Sequence, residues 1–286
     1  MLSFLYIHTL AHTFSGYPNP YYIGIRILME TPTESDSFAY EKYDWLTGQH
    51  TYVKVINRGI FEQKCMLGMY KINTLHKLAH ENIVDRLDIK LTDGFYHIEF
   101  EFIQYSLDEY LELNHDKFKL IQQLLKGLIY LHQNKISHNY LQSQNIMVTS
   151  RGVLKIINFK KSVKYKNCTN EVYESESLLL KTLKKFPHYF DISSAGYVFL
   201  KILFESQFEA DIYNLPYFKK SDYPENLAHP LNNIEFRNYL ETKNIKDEFI
   251  EFFSSIFCRQ GYDIPTAENL LQTFEELEIN HKSIFK

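Results

Sequence analysis

Residues Gln122 to Val148 read QQLLKGLIYLHQNKISHNYLQSQNIMV, and this stretch decides the fold. Its first half continues an apolar pattern that starts at Phe118. Phe118, Ile121, Leu124, Leu125, Leu128 and Leu131 recur at i, i+3, i+4 and i+7, the single stripe of a long amphipathic helix. The pattern then breaks into a polar run holding His138, Asn139, Tyr140, Gln142 and Asn145, and closes on apolar Ile146 to Val148. A helix therefore delivers the chain into a polar helix-to-strand loop, where an Asn such as Asn145 is at home as a turn former.

Upstream, from Tyr21 to about Phe102, short runs alternate apolar and polar residues: YYIGIRILME, SFAYEKYDWL, TYVKVI and YHIEFEF, with turn signals at Thr47-Gly48 and Asp93-Gly94. This predicts a small antiparallel sheet. One helix interrupts it over roughly Phe61 to Leu78, where Leu67, Ile72, Leu75 and Leu78 form a stripe. Downstream the spacing predicts helices over Ile192 to Phe204, Ile234 to Leu240, Lys246 to Phe257 and Thr266 to Leu277. The expected organisation is α+β: an N-terminal extension (1–20), a sheet lobe (21–102), a larger helical lobe (103–280) and a short tail (281–286).

Composition supports a folded chain of 286 residues, with 45% hydrophobic and 16% aromatic residues supplying ample core. A net charge of -4 leaves no excess of basic residues to neutralise a phosphate backbone, so nucleic acid is not the expected partner. Cys65, Cys168 and Cys258 are odd in number and lack metal-ligand spacing, which fits reduced thiols. Met1 to Phe14 is apolar but has neither a basic start nor a small-residue cleavage site, and no run reaches a membrane span. Cytoplasmic location without membrane insertion is the default expectation. His8 and His12 share a helical face but have no third ligand nearby, and no metal site is expected.

Around the opening stretch stand further segments in a telling order: TGQHTYVKVI, HENIV, the Glu-Phe pair at 101–102, LKIINF, DISSAG and PTAENLL. Together with the loop they resemble the eukaryotic protein kinases over nearly the whole chain from about Tyr21. The resemblance implies a bilobal kinase-like fold, with a small antiparallel sheet plus one helix, a mainly helical larger lobe, and a cleft shared by the two.

It also implies roles, residue by residue. Lys54 matches the strand lysine that pairs with ATP phosphates. Together with Asn145 and the hinge residues Glu101 and Ile103 it would make up a residual nucleotide pocket. Tyr52 stands where kinases hold a small Ala against adenine, and its ring would block that pocket. The phosphate loop should be glycine-rich, but Pro32, Glu34 and Ser37 fall at the three glycine positions, and no register within Glu30 to Ser37 supplies a Gly. Lys71 falls where a helix glutamate should hold Lys54, and Glu62 lies too early to substitute.

The His-Arg-Asp of the catalytic loop reads His138-Asn139-Tyr140, so Tyr140 stands at the position of the proton acceptor, where its phenol cannot serve and its ring would fill the acceptor's space. The lysine that follows is Gln142, and the Asp of the Asp-Phe-Gly metal motif is Asn158, followed by Phe159 and Lys160. Glu176 matches the glutamate closing the activation segment, whose arginine partner is replaced by Ile264; Thr169 and Tyr173 lie in that segment. Scaffold positions are kept: His138, Phe159 and Leu75 in the internal stack, and Asp191 as anchor of the catalytic loop. Arg86 falls at an apolar stacking position, a departure the sequence does not explain.

On these residues the chain reads as a pseudokinase and not an enzyme: a protein-binding scaffold or allosteric regulator of another protein, an active kinase among the candidates. No cofactor is expected on that reading, and the oligomeric state stays open. The alternatives are a weak or unconventional ATP-dependent Ser/Thr protein kinase, which would use ATP and Mg²⁺, and an ATP-binding switch.

Overall fold

The computed structural model describes residues 23–28, 37–44, 46–59, 78–113, 116–164, 188–204, 233–257 and 265–281. The chain divides into two compact units, Met1–Ala79 with Val84–Ile103 and His80–Ile83 with Gln104–Lys286.

The first unit is built on an antiparallel sheet. Its strands are β1 (Ile23–Leu28), β2 (Ser37–Asp44), β3 (His50–Asn57), β4 (Arg86–Thr92) and β5 (Phe95–Glu101), in spatial order β1-β2-β3-β5-β4. The turn from β2 to β3 is set by Asp44, whose carboxylate accepts the Leu46 and Thr47 N–H groups at 2.9 and 3.3 Å. Gly48 supplies the left-handed backbone at φ 69°. Asp93 and Gly94 both take positive φ between Thr92 and Phe95, the two-residue hairpin turn that an Asp-Gly pair favours.

Alternation along β3 becomes alternation of burial: Thr51, Val53 and Val55 are buried, while Tyr52, Lys54 and Ile56 are half-buried on the other face. On the Thr51 face the Glu99 carboxylate accepts from Thr51 Oγ1 at 2.6 Å and from Lys42 Nζ at 3.0 Å. On the opposite face Tyr96 and Ile98 form a small core with Ile56, Ile89 and Phe100. Strand β4, which follows the HENIV segment, carries a bulge between Arg86 and Asp88, and Leu87 is exposed there. The helix expected over Phe61 to Leu78 lies outside the described residues except for Leu78.

The second unit contains six described helices: α1 (Leu107–Leu111), α2 (Lys117–Gln133), α3 (Tyr189–Phe204), α4 (Asn233–Thr242), α5 (Asp247–Phe257) and α6 (Ala267–His281). Two small sheets accompany them. One orders β6 (Tyr105–Ser106), β8 (Ile146–Val148) and β9 (Leu154–Ile156), and the other pairs β7 (Ile136–Ser137) with β10 (Val163–Lys164). The α2 stripe is buried as its periodicity requires. Phe118 stacks on Phe274 of α6 at 5.2 Å between ring centres and meets Phe249 of α5 edge-on at 6.5 Å. Helix α3 is buried nearly all round, consistent with its apolar sequence.

Where the 80–83 segment crosses α2 the packing is close. A Cβ on Gly127 would stand 2.9 Å from Ile156 Cδ1 and 3.2 Å from Asn82 Cβ, so any larger residue there would have to displace its neighbours. Among the described residues no helix is long and apolar enough to cross a membrane.

Candidate functional site

Helix α2 ends at the cap Asn134, and Lys135 takes a positive φ of 59° to turn the chain into β7. The loop that follows is held from beneath by Asp191, fully buried in the first turn of α3. One carboxylate oxygen accepts the His138 N–H at 2.8 Å and the His132 Nε2–H at 3.0 Å; the other accepts the Asn139 N–H at 2.8 Å. Burial by itself would raise the Asp191 carboxyl. The hydrogen bond and charge of His132, the nearby His138 and the Asn139 N–H outweigh it and hold the group below its ordinary value.

His138 is itself fully buried. Its Nε2–H donates to the Ile157 carbonyl at 2.9 Å, and Nδ1 has no partner among the described residues. Burial pushes its pKa down, against the opposing pull of Asp191. The ring meets Phe159 edge-on at 4.8 Å between ring centres. His138, Phe159 and Asp191 thus lie together. Leu75, the expected third member of the stack, lies outside the described residues, as do Pro32, Glu34, Lys71, Thr169, Tyr173, Glu176 and Ile264.

Three of the positions that carry chemistry in the family form one bonded group. The Asn145 amide Nδ2 donates to the Tyr140 carbonyl at 2.6 Å, and Asn158 Nδ2 donates to Asn145 Oδ1 at 2.9 Å. Asn145 sits in the 3-10 turn Ser143–Asn145, which Gln142 precedes in extended conformation. Asn158 holds a left-handed backbone, φ 64° and ψ 63°, at the mouth of a second 3-10 turn, Phe159–Lys161. Lys161 Nζ lies 4.4 Å from the centre of the Tyr140 ring.

In this group Mg²⁺ would meet two neutral amides, already hydrogen-bonded to each other, where the hard cation requires anionic oxygen. The residues present do not fit a tightly held metal. Among the described residues no group of three or more His, Cys, Asp or Glu is placed to hold one.

On the sheet unit, Lys54 lies directly across from Ala39 on β2 and Ile98 on β5. Tyr52 shares its face, two residues along, between Glu41 and Phe100, with the Tyr52 and Phe100 rings 6.5 Å apart. Glu101 closes β5 by a reciprocal pair: its N–H donates to the Asp85 carbonyl at 3.0 Å and its carboxylate accepts the Asp85 N–H at 2.7 Å. Ile103, two residues on, is buried. Arg86 is held in the β4 bulge, where burial pushes its pKa down.

Sequence reasoning passed over several residues that organise the loop. His132 was visible only as the end of a Tyr-Leu-His helix terminus. Lys201 donates to Ser143 Oγ at 3.0 Å and pairs with Asp108 at 2.7 Å, a link across distant stretches with no local signal. Lys161 is one of two lysines after Phe159, and nothing in the linear sequence places it beside Tyr140.

A sheet unit carrying a strand lysine, and a helical unit whose buried Asp holds a His-led loop beside an Asn pair, are features of the protein-kinase class of fold. The family model of the protein kinase domain matches residues 37–274, and the chain belongs to that family. It is 33% identical over 174 residues to a probable cell division protein kinase of Encephalitozoon cuniculi, a match covering 57% of this chain and 65% of that protein. It is 31% identical over 159 residues to cyclin-dependent kinase 17 of Caenorhabditis elegans, covering 46% of this chain and 24% of the relative. It is 31% identical over 127 residues to cell division control protein 2 homolog 3 of Trypanosoma brucei brucei, covering 42% and 41% respectively. The matches therefore span about a quarter to two thirds of these relatives' lengths.

These findings correct the expectation that the chain is not an enzyme: its family is that of the protein kinases, and relatives are named as kinases. The physical reason lies in magnitudes. A missing general base removes roughly 10²–10⁴-fold of rate, whereas enzymes accelerate by about 10⁶-fold or far more. Losses of residues that act as a unit do not multiply. Substitutions at Tyr140, Gln142 and Asn158 are therefore no proof that catalysis is abolished.

Proposed function

We propose that this chain is an unconventional, slow ATP-dependent Ser/Thr protein kinase that works with a protein partner. The observation that carries the reading is the intact support of the loop: Asp191 still fixes the His138 and Asn139 N–H groups although the side chains above it have changed. Positioning contributes to catalysis independently of the acceptor group, and that part of the machinery is kept. ATP is the phosphoryl donor that membership of the family suggests, and Lys54 is the residue proposed to meet its phosphates. The name of the C. elegans relative, cyclin-dependent kinase 17, supports a protein as the partner.

The test is transfer of labelled γ-phosphate from ATP to a Ser/Thr peptide library by purified chain, compared with Lys54→Ala and Tyr140→Asp. We expect slow transfer that is lost in Lys54→Ala and raised about tenfold or more in Tyr140→Asp, where a carboxylate returns to the acceptor position. Absence of transfer from all three proteins would refute the reading and favour a regulator that acts through protein contacts alone.

A further inference from the structure

We infer that Lys161 is a phosphate-binding residue of the catalytic loop, supplying in space the cation that Gln142 lacks and making phosphate binding there independent of a divalent metal. The inference deepens the kinase reading above and rests on it.

The loop group has lost the carboxylate at both positions where the family carries one, since a phenol stands at Tyr140 and an amide at Asn158. A divalent cation has nothing there to bind it strongly, but a phosphate no longer meets a carboxylate that would repel it. Positive charge is provided instead by Lys161, whose ammonium lies over the Tyr140 ring. An aromatic face attracts the ammonium without neutralising it, unlike a carboxylate partner. The charge therefore remains available to an anion.

The lysine springs from a fixed base. Phe159, at the start of its 3-10 turn, packs edge-on against His138, and the Phe159 carbonyl accepts both the N–H of Ser162 at 3.1 Å and its Oγ–H at 2.7 Å. Lys161 is exposed, so its end remains accessible to a ligand. The cation has moved from the loop to the turn that faces it.

The experiment is calorimetric titration of the full chain with ATP, once in EDTA and once in Mg²⁺, for the wild type, Lys161→Ala and Lys161→Arg. Melting curves verify that the variants fold, as an exposed position allows. We expect wild-type dissociation constants in the two conditions to agree within about threefold. Lys161→Ala should weaken binding in EDTA by about tenfold or more, and Lys161→Arg should largely retain it. Wild-type binding that requires Mg²⁺, or a Lys161→Ala variant that binds as well as wild type, overturns the inference and leaves the kinase reading standing. No ATP binding by the wild type in either condition overturns both.

Discussion

Replacing Asp191 by Ala tests whether the catalytic loop owes its conformation to one buried carboxylate. The substitution removes the acceptor of the His138 and Asn139 N–H groups, both at 2.8 Å, and of His132 Nε2 at 3.0 Å. Each buried donor left unpaired costs about 1–3 kcal/mol. Relief of the desolvation borne by the carboxylate offsets part of the loss from three donors, so the expected net loss is about 3–5 kcal/mol. Asp191→Asn should lose less, about 2 kcal/mol, because one oxygen still accepts while the new NH₂ faces a donor. At about 2–4 °C per kcal/mol for a unit of this size, the Ala variant should melt roughly 10 °C below wild type. Urea titration at pH 7 followed by circular dichroism gives the free energies. A loss under about 1 kcal/mol for Asp191→Ala would show that neighbouring packing, and not this carboxylate, fixes the loop.

Acid should destabilise the protein in two stages. His138 has a depressed folded-state pKa, so below the ordinary histidine value of about 6.5 the unfolded chain takes up the proton first. Its contribution is complete above that pH and shrinks at up to about 1.4 kcal/mol per pH unit as the pH falls toward the folded value. Asp191, also depressed, adds a second loss starting near the ordinary carboxylate value of about 3.9. Urea midpoints measured from pH 7.5 down to 3.5 should fall from about 6.5 downward, and a flat profile would contradict the buried neutral ring. Gly196→Ala should destabilise by about 1–3 kcal/mol, because the new Cβ would stand 2.6 Å from Phe257 Cζ and 2.8 Å from Ile256 Cγ2; thermal melting measures it. Gln123→Leu should cost about 2–4 kcal/mol in urea, since Gln123 Oε1 accepts from Asn82 Nδ2 at 3.1 Å and the Leu154 N–H at 2.9 Å, while its Nε2 donates to the Gly152 carbonyl at 3.0 Å.

Periodicity made the long elements readable. The α2 stripe and the alternation of β3 follow from burial on one face, and burial is what a pattern of apolar residues encodes. Strand β4 follows from the place of HENIV and not from periodicity, because its alternation is broken by the bulge at Arg86 and Asp88 and by the charged residues it carries. The loop was legible as a motif, but the hydrogen bonds that support it were less so. Asn82 and Gln123 lie 41 residues apart, and neither type announces a buried partner. Lys161 beside Tyr140 is a tertiary fact of the same kind, created by the turn after Phe159. Residue identity at Tyr140, Gln142 and Asn158 was plain, yet its bearing on activity was overweighted, because identity at one position does not measure what positioning by the rest contributes.

The altered residues have been chosen within limits set by the backbone. Asn139 and Asn158 both occupy left-handed positions, φ 55° and 64°, where most side chains are strained and Asn is among the few tolerated. Asn158 keeps this conformation while exchanging a metal-binding carboxylate for an amide, and that amide then donates to Asn145, a bond an ionised Asp could not make. The bond joins the turn after β9 to the loop before β8, and Asn145 in turn donates to the Tyr140 carbonyl. The substitution at 158 is thus absorbed into one polar chain that ties the loop to the main chain at 140, whereas a carboxylate restored at 158 would face the Asn145 carbonyl oxygen with no proton between them. A reversal of the metal position alone should therefore loosen the loop unless Asn145 turns its amide over, and the chemistry available to this protein is set by the linked group more than by any one of its members.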